Sequence, residues 1–310
     1  GTRSTPVPPA PRRLKTSSFV TFFNIIKAYL GTGLLVVPYG ARCGGMWLSL
    51  AGIALLAAGS NHALKMLIRV KRRVMAVHGL SGASVTYDSL GALTFGKWGR
   101  RMALFAQLVT NLGICTGYMI FIGNTLLMVG RILGVNVDTL NPRLLPGGDN
   151  VRVNLIIVAS FPLLAALALM RSMRRLGAAS VVGTVAILVA IVAVIYTASA
   201  KISTDGPRHV PAARLETFPT FFGLLIFGFS IHGVVLPVEE SMEHPEHAEV
   251  VLDLSIVCTV LIYGAFSILG YAAWGDGTAS NILTNLPETT LLDRDIKMVT
   301  GVLLSVAMLL

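Results

Sequence analysis

Charge is scarce in this sequence. Only 13% of its 310 residues are Asp, Glu, Lys or Arg, whereas 54% are hydrophobic. Water-soluble domains carry about 25% charged residues. The composition therefore excludes an ordinary soluble domain and indicates an integral membrane protein.

Cysteine is also scarce. Cys43, Cys115 and Cys258 lie in or beside apolar segments, at spacings that fit neither a metal site nor a disulfide framework. No Asn-x-Ser/Thr sequon occurs, so glycosylation gives no indication of membrane orientation. No grouping of Ser, His and Asp or of metal ligands points to a catalytic centre. We therefore expect no enzyme activity and no bound metal.

Acidic residues are outnumbered by basic ones, 15 to 25, which gives a net charge of +10. Such an excess can indicate nucleic-acid binding. Here the basic residues cluster in short segments between apolar runs, where membrane topology requires them. We expect the protein to lie in a lipid bilayer and to bind no nucleic acid.

Long apolar runs dominate the chain after a polar start. Residues 1–17 are rich in Pro, Ser and Arg, which predicts a disordered cytoplasmic tail. Residues 18–310 are predicted to form a transmembrane domain that is incomplete at its carboxyl end. The eight runs are 18–40, 46–68, 102–133, 153–170, 177–199, 218–237, 250–274 and 297–310. The last is shorter than the roughly 20 residues that a span requires, and we expect a chain truncated at both ends.

Lysine and arginine predict the orientation of these spans. They are concentrated in "RVKRR" (69–73) and "RSMRR" (171–175), which fall on the same side as the amino terminus if each run crosses once. The amino terminus is therefore predicted to be cytoplasmic.

The mixed segment 72–98 is predicted to include a short amphipathic helix on the membrane surface. The oligomeric state stays open.

Two of the runs contain residues that interrupt helices. The first holds Gly31–Gly33 and Pro38, and the sixth holds Gly228–Gly233 and Pro237. Close helix packing is one explanation. The other is unwound backbone that lines a cavity, where free N–H groups suit a carboxylate and free C=O groups suit an ammonium. Interrupted spans at matching places in two halves favour a transporter built from inverted repeats.

Four stretches resemble the amino acid/auxin permease family, within the wider amino acid–polyamine–organocation superfamily. The third is the most specific, because it fits the end of the sixth helix and the loop after it. The resemblance is greatest to the proton-assisted, lysosomal-type amino-acid transporters. In chain order the stretches are "IIKAYLGTGLLVVPYGARCGG", "LVTNLGICTGYMIFIGN", "FFGLLIFGFSIHGVVLPVEESMEHPEH" and "LGYAAWGDGTASNILTNLP".

The resemblance implies an all-α, LeuT-like fold of inverted repeats, with helices 1 and 6 broken and about eight of eleven spans present. It implies secondary active transport of amino acids by alternating access, coupled to protons. Sodium coupling, or an amino-acid sensor of the same fold, are the alternatives. The implied location is the plasma membrane or a lysosomal or vacuolar membrane. No cofactor is expected apart from the coupling proton or sodium ion.

The resemblance also assigns the substrate site to the two breaks. Gly31, Thr32 and Gly33 are expected to bind the substrate carboxylate. Tyr118 is expected either to close over the substrate or to be a core aromatic residue. The full set of expected binding residues is Gly31, Thr32, Gly33, Tyr118, Gly228, Phe229, Ser230 and Ile231.

Ser230 departs from the family pattern, since the nearest relatives often carry a glutamate there. Their scheme of proton coupling does not transfer directly to this chain, and the smaller serine leaves more room for a substrate side chain.

Three further polar residues are candidates for coupling or gating. His232 is an ionisable group at membrane depth, which is either functional or a neutral residue that seals the helix break. Lys27 either reaches the cytoplasmic surface or pairs inside the bundle. Asn111 either lines the transport path or joins helices. Ser305 would contribute only to a sodium site, and no other metal ligand is expected.

Overall fold

The computed structural model describes residues 15–79, 85–134, 158, 173–288 and 291–309, without the side chains of Thr32, 173–182, 291–292 and 306–309. The longer helices are α1 (Ser18–Leu30), α2 (Thr32–Gly44), α3 (Met46–His78), α4 (Tyr87–Ile132), α5 (Met173–Asp205), α6 (Phe218–Gly228), α7 (His232–Ser241), α8 (Ala248–Trp274) and α9 (Leu291–Leu309). Short 3₁₀ segments lie at Pro245–His247, Gly275–Gly277 and Ile282–Asn285. The predicted all-α class is confirmed, because these ranges hold no strand beyond an isolated bridge.

Several helices are long and apolar enough to cross a membrane. Five segments of the described chain meet this criterion, and the bent pair α1–α2 makes a sixth. The protein is therefore a multi-pass membrane protein. Apart from residue 158, the predicted run 153–170 lies outside the described residues. The inverted repeat stays a prediction.

The predicted breaks in the first and sixth spans are confirmed. α1 ends at Leu30 and α2 begins at Thr32, with a bend of 48° between them. In the sixth span the helix is interrupted at residues 229–231, between α6 and α7. Each of the two half-helices that flank a break is too short to cross the membrane alone.

The prolines do not form these breaks, contrary to their expected part in them. Pro38 lies inside α2 and Pro237 inside α7. Pro38 instead packs on Gly270 of α8, where an added Cβ would lie 2.7 Å from the proline Cβ. The glycine at 270 therefore lets α2 and α8 approach at the proline.

Two helices extend beyond the apolar runs. α3 continues to His78, so the basic segment 69–73 is helical and not a loop. α9 begins at Leu291 and has 19 residues, so the last run is part of a longer helix than its apolar residues predicted. Charged side chains at these helix ends form ion pairs: Arg69 with Glu249 at 2.6 Å, and Lys297 with Glu288 at 2.8 Å.

α4 is kinked near its start. The backbone is non-helical at Phe95 and Gly96, and Gly96 has φ 62°, a conformation that side chains with a Cβ rarely adopt. A short helix from Tyr87 therefore precedes the membrane-crossing part of α4. It corresponds to part of the surface helix predicted within 72–98, whose first residues belong to α3.

The predicted disordered tail overlaps described structure at residues 15–17. The Thr16 N–H donates to the Ser241 carbonyl at 2.7 Å, and the Glu243 N–H donates to the Thr16 carbonyl at 2.8 Å. The Thr16 hydroxyl also donates to the Ser241 carbonyl at 2.9 Å. Residues 15–17 are thus ordered against the end of α7, which corrects the tail boundary, whereas residues 1–14 lie outside the described range.

A buried ion pair fixes α7 against α3. The Lys71 Nζ lies 2.9 Å from a Glu239 carboxylate oxygen, and the two side chains are 2% and 6% exposed. Arg72 lies 3.1 Å from the other oxygen and also donates to the Pro245 carbonyl. Lys71 further donates to the Leu236 carbonyl at 3.3 Å. Removing one partner of such a pair typically costs about 3–5 kcal/mol, so the short helix α7 is held firmly.

The core lies where α1, α2, α3, α6 and α8 pack together. Its largest fully buried side chains include Tyr29, Leu34, Ile53, Phe221 and Tyr263. α2 contacts both α6 and α8. This packing brings the two breaks to the centre of the bundle.

Candidate functional site

The two broken spans touch at a pair of glycines. A Cβ added at Gly33 would lie 2.9 Å from the Gly228 Cα and 2.8 Å from the Tyr263 hydroxyl oxygen. Real Cβ atoms essentially never approach this closely. Only glycine at position 33 therefore allows α2 to lie this close to the end of α6.

Each break presents backbone groups that a continuous helix would pair internally. At the first break, the first N–H groups of α2 and the last C=O groups of α1 have no partner within their own helices. At the second break, the Leu225, Ile226 and Phe227 carbonyls accept from the N–H groups of Phe229 and Ser230, so the Gly228 carbonyl is the group left at the end of α6. The N–H ends carry partial positive charge and the C=O ends partial negative charge. An amino acid carries one charge of each sign, so both kinds of helix end can stabilise it.

Tyr263 of α8 joins the two breaks. Its hydroxyl donates to the Tyr29 carbonyl at 2.5 Å and lies 3.4 Å from the Gly228 carbonyl oxygen. These carbonyls belong to the carboxyl ends of α1 and α6. Sequence reasoning missed Tyr263, and its only signal was a tyrosine within an apolar span.

A small cavity of about 30 Å³ lies between the breaks. This volume holds roughly two water molecules. Six of the eight expected binding residues line it. The complete lining is Ala28, Tyr29, Gly31, Gly33, Ile114, Tyr118, Phe227, Gly228, Ser230 and Ile231.

Tyr118 faces the first break. A Cβ added at Gly31 would lie 2.9 Å from the Tyr118 hydroxyl oxygen. The phenol of α4 therefore closes one side of the cavity directly over Gly31. It is a wall residue of the cavity and not an aromatic residue of the distant core.

Phe229 corrects the expected lining of the second break. It is 3% exposed and packs edge-on against Tyr29 and Tyr263, with ring centroids 5.9 and 5.5 Å apart. Phe229 therefore lies behind the cavity, and Phe227 lines it instead. The turn at the break rotates successive side chains to different sides, which the sequence pattern does not reveal. The side chain of Thr32 lies outside the described part.

A second, larger cavity of about 250 Å³ adjoins the first and is called the chamber below. Asn111 and His232, two of the three candidates for coupling or gating, line it. Ile114 and Ser230 line both cavities. The complete lining of the chamber is Tyr87, Ala106, Gln107, Thr110, Asn111, Ile114, Ser230, His232, Gly233 and Val234.

Lys27 and Ser305 line neither cavity. Lys27 is half-buried in the last turn of α1. A cation there stabilises the negative end of the half-helix, which explains a lysine within an apolar run. Ser305 is buried in α9. Among the described residues, no group of three or more His, Cys, Asp or Glu side chains is placed to hold a metal ion.

Comparison with known proteins identifies the family of this chain. The sequence pattern of the family described as "Transmembrane amino acid transporter protein" matches residues 15–310. The amino acid transporter AVT3B of Arabidopsis thaliana is 30% identical over 272 residues, which cover 87% of this chain and 64% of that protein. The vacuolar amino acid transporter 4 of Saccharomyces cerevisiae is 26% identical over 282 residues, which cover 89% and 37%.

A third relative is the vacuolar amino acid transporter 3 of Schizosaccharomyces pombe, 22% identical over 266 residues that cover 86% of this chain and 38% of that protein. The chain thus spans less than two thirds of the length of these relatives. The family match nevertheless covers residues 15–310 of this chain. With its two broken spans meeting at one cavity, the chain belongs to the transmembrane amino acid transporter family.

Proposed function

We propose that the protein carries amino acids across a membrane by alternating access, with the substrate held at the two breaks. The observation that supports this most is the contact of both breaks at Gly33 and Gly228, beside a cavity. The substrate carboxylate would accept from the N–H groups that begin α2. The ammonium group of the substrate would donate to the carbonyl groups that end α1 and α6.

The proposal places the protein in a vacuolar or lysosomal membrane, since two relatives are named vacuolar transporters. The excess of basic residues in 69–73 and 171–175 supports a cytoplasmic amino terminus. That side of the bundle would also carry the ordered segment at Thr16 and the ion pair of Lys71 with Glu239.

Proton coupling is proposed over sodium coupling. Carboxyl ends of half-helices commonly coordinate the coupling cation in transporters with broken helices. Here the Tyr263 hydroxyl donates to the Tyr29 carbonyl and lies beside the Gly228 carbonyl. It therefore stabilises carbonyl groups that would otherwise coordinate a cation. His232, at the start of α7, is the candidate for carrying the proton because histidine titrates near neutral pH.

Uptake into liposomes tests this proposal. The full-length protein is reconstituted and offered a panel of radiolabelled amino acids under an imposed proton or sodium gradient. We expect accumulation driven by the proton gradient at constant sodium. A flat response to protons with strong dependence on sodium would overturn the coupling, and saturable binding without any flux would favour the sensor.

A further inference from the structure

A short segment before α1 is bonded to the end of α7. The Thr16 backbone pairs with residues 241–243 in an isolated parallel bridge. Its N–H donates to the Ser241 carbonyl at 2.7 Å, and its carbonyl accepts from the Glu243 N–H at 2.8 Å. Residues 15–17 together with residues 241–243 are called the clip below. The clip ties the start of the first broken span to the end of the second.

The Thr16 hydroxyl adds a third hydrogen bond to the clip. It donates to the Ser241 carbonyl at 2.9 Å and lies 3.2 Å from the Ser241 hydroxyl oxygen. It also lies 3.3 Å from the hydroxyl oxygen of Thr21, a residue that is only 1% exposed. The Thr16 oxygen is therefore surrounded by a carbonyl and two hydroxyls, one of them out of contact with water. This environment suits a hydroxyl group and leaves no room for a larger anion.

A phosphoryl group on the Thr16 oxygen would open the clip. It would remove the hydrogen that the Ser241 carbonyl accepts and would place a charge of about −1.5 to −2 against that carbonyl. The surrounding segment is acidic, since residues 239–249 include five glutamates and no lysine or arginine. Repulsion between like charges would therefore add to the loss of the hydrogen bonds.

The residues before Thr16 form a recognition pattern for a protein kinase. In "RRLKT", Arg12 and Arg13 stand four and three residues before the threonine, and Lys15 directly precedes it. Basophilic serine/threonine kinases recognise arginine at this spacing through their own carboxylates. Basic residues before a first span also serve its orientation, but orientation needs no hydroxyl residue at a fixed distance after them.

Opening of the clip would leave α1 intact. The Ser17 hydroxyl accepts from the Val20 N–H at 3.4 Å, and the Ser17 carbonyl accepts from the Thr21 N–H at 3.0 Å. These bonds cap the helix without the Thr16 side chain. Modification of Thr16 therefore acts on the contact with α7 and not on the helix that follows.

We propose that Thr16 is a phosphorylation site for a basophilic serine/threonine kinase, and that the phosphate opens the clip. The kinase transfers the γ-phosphoryl group of ATP to the Thr16 oxygen, the hydroxyl proton passes to the catalytic carboxylate of the kinase, and ADP leaves. The inference rests on the proposed cytoplasmic amino terminus, since ATP and such kinases are cytoplasmic. It adds a regulated contact between the two broken spans.

Phosphorylation in vitro tests the site. The full-length protein in nanodiscs is treated with ATP and the catalytic domain of an arginine-directed kinase, and the phosphate is located by mass spectrometry. We expect it on Thr16, and Arg13→Ala should lower its incorporation at least about tenfold. The matched control Ser17→Ala removes the neighbouring hydroxyl, keeps the arginine spacing and should be labelled like the wild-type protein. Phosphate on Ser17 or Ser18 alone, or no phosphate, would overturn the site.

Hydrogen exchange at the Glu243 amide tests the opening of the clip, because this N–H donates to the Thr16 carbonyl. In the phosphorylated protein and in Thr16→Glu we expect exchange to be faster by about tenfold or more, since three hydrogen bonds are lost. Ser17→Glu adds the same charge at an exposed neighbour and should keep the wild-type rate. Unchanged exchange in the phosphorylated protein would overturn the opening.

Neither measurement requires a substrate, so a negative result in both leaves the proposed transport function standing. The orientation is tested with sealed vesicles whose cytoplasmic face points outward and to which ATP and the kinase domain are added. Labelling of Thr16 in these vesicles is expected. Labelling in nanodiscs but not in the vesicles would overturn the cytoplasmic amino terminus, and with it phosphorylation in the cell.

Discussion

Gly33→Val is expected to reduce amino-acid uptake to background. The first added carbon would lie 2.9 Å from the Gly228 Cα and 2.8 Å from the Tyr263 hydroxyl oxygen. The Gly228 atom is backbone and cannot turn aside, so α2 and α6 must separate. Overpacking of this kind costs typically about 1–3 kcal/mol. It would also displace the ends of both breaks, where we propose that the substrate groups bind.

The control for this variant is Gly223→Val in α6. Apart from its chain neighbours and the nearby backbone of its own helix, no described atom lies within 4 Å of a Cβ added at Gly223. This variant should insert normally and keep most of the uptake, although it adds the same side chain to one of the same two spans. Equal uptake by Gly33→Val and the wild-type protein would show that close contact between the breaks is not needed.

Tyr263→Phe is expected to lower uptake roughly five- to hundredfold. The variant removes one hydroxyl and leaves the Tyr29 carbonyl without the donor that lies 2.5 Å away. A buried acceptor left without a partner costs about 1–3 kcal/mol, and each 1.4 kcal/mol corresponds to about tenfold. The loss falls on transport because the carbonyl belongs to the end of α1, at the break itself.

Tyr271→Phe provides an unusually close control. Tyr271 lies on the same helix and is 0% exposed, as is Tyr263. Its hydroxyl has no hydrogen-bond partner within the described residues. Deleting it should therefore leave both stability and uptake near the wild-type values. If the two variants lose uptake to the same extent, Tyr263 has no special part at the breaks.

The class of the fold and the location of the breaks could be predicted from local sequence. Gly31 and Gly33 in one apolar run, and Gly228 in another, are enough to indicate interrupted helices at membrane depth. The positions of Pro38 and Pro237 inside the second half-helices could not be predicted in this way. Proline is tolerated where the missing N–H and the displaced carbonyl are accommodated by neighbours, and only the fold supplies those neighbours.

Other parts of the site depend on contacts between residues far apart in the chain. The Tyr263 hydroxyl acquires its importance from two carbonyl groups on other helices, at Tyr29 and Gly228. Lys71 appeared to be one of several basic loop residues, yet its partner Glu239 lies beyond the second break. Phe227, and not the predicted Phe229, lines the cavity because of the direction the chain takes at the break. Successive residues of a helix point about 100° apart, so a small change in where the helix ends decides which side chain faces the cavity.

Equilibrium binding to wild-type and Gly31→Val protein tests the central claim most directly. The three atoms nearest to a Cβ added at Gly31 all belong to the flexible Tyr118 side chain, and the nearest is its hydroxyl oxygen at 2.9 Å. The variant should therefore fold and insert, while its side chain fills the small cavity at the first break. We predict saturable binding of a radiolabelled amino acid to the full-length wild-type protein and its loss in an equally stable Gly31→Val variant. Unchanged affinity in that variant would contradict an amino-acid site at the two breaks.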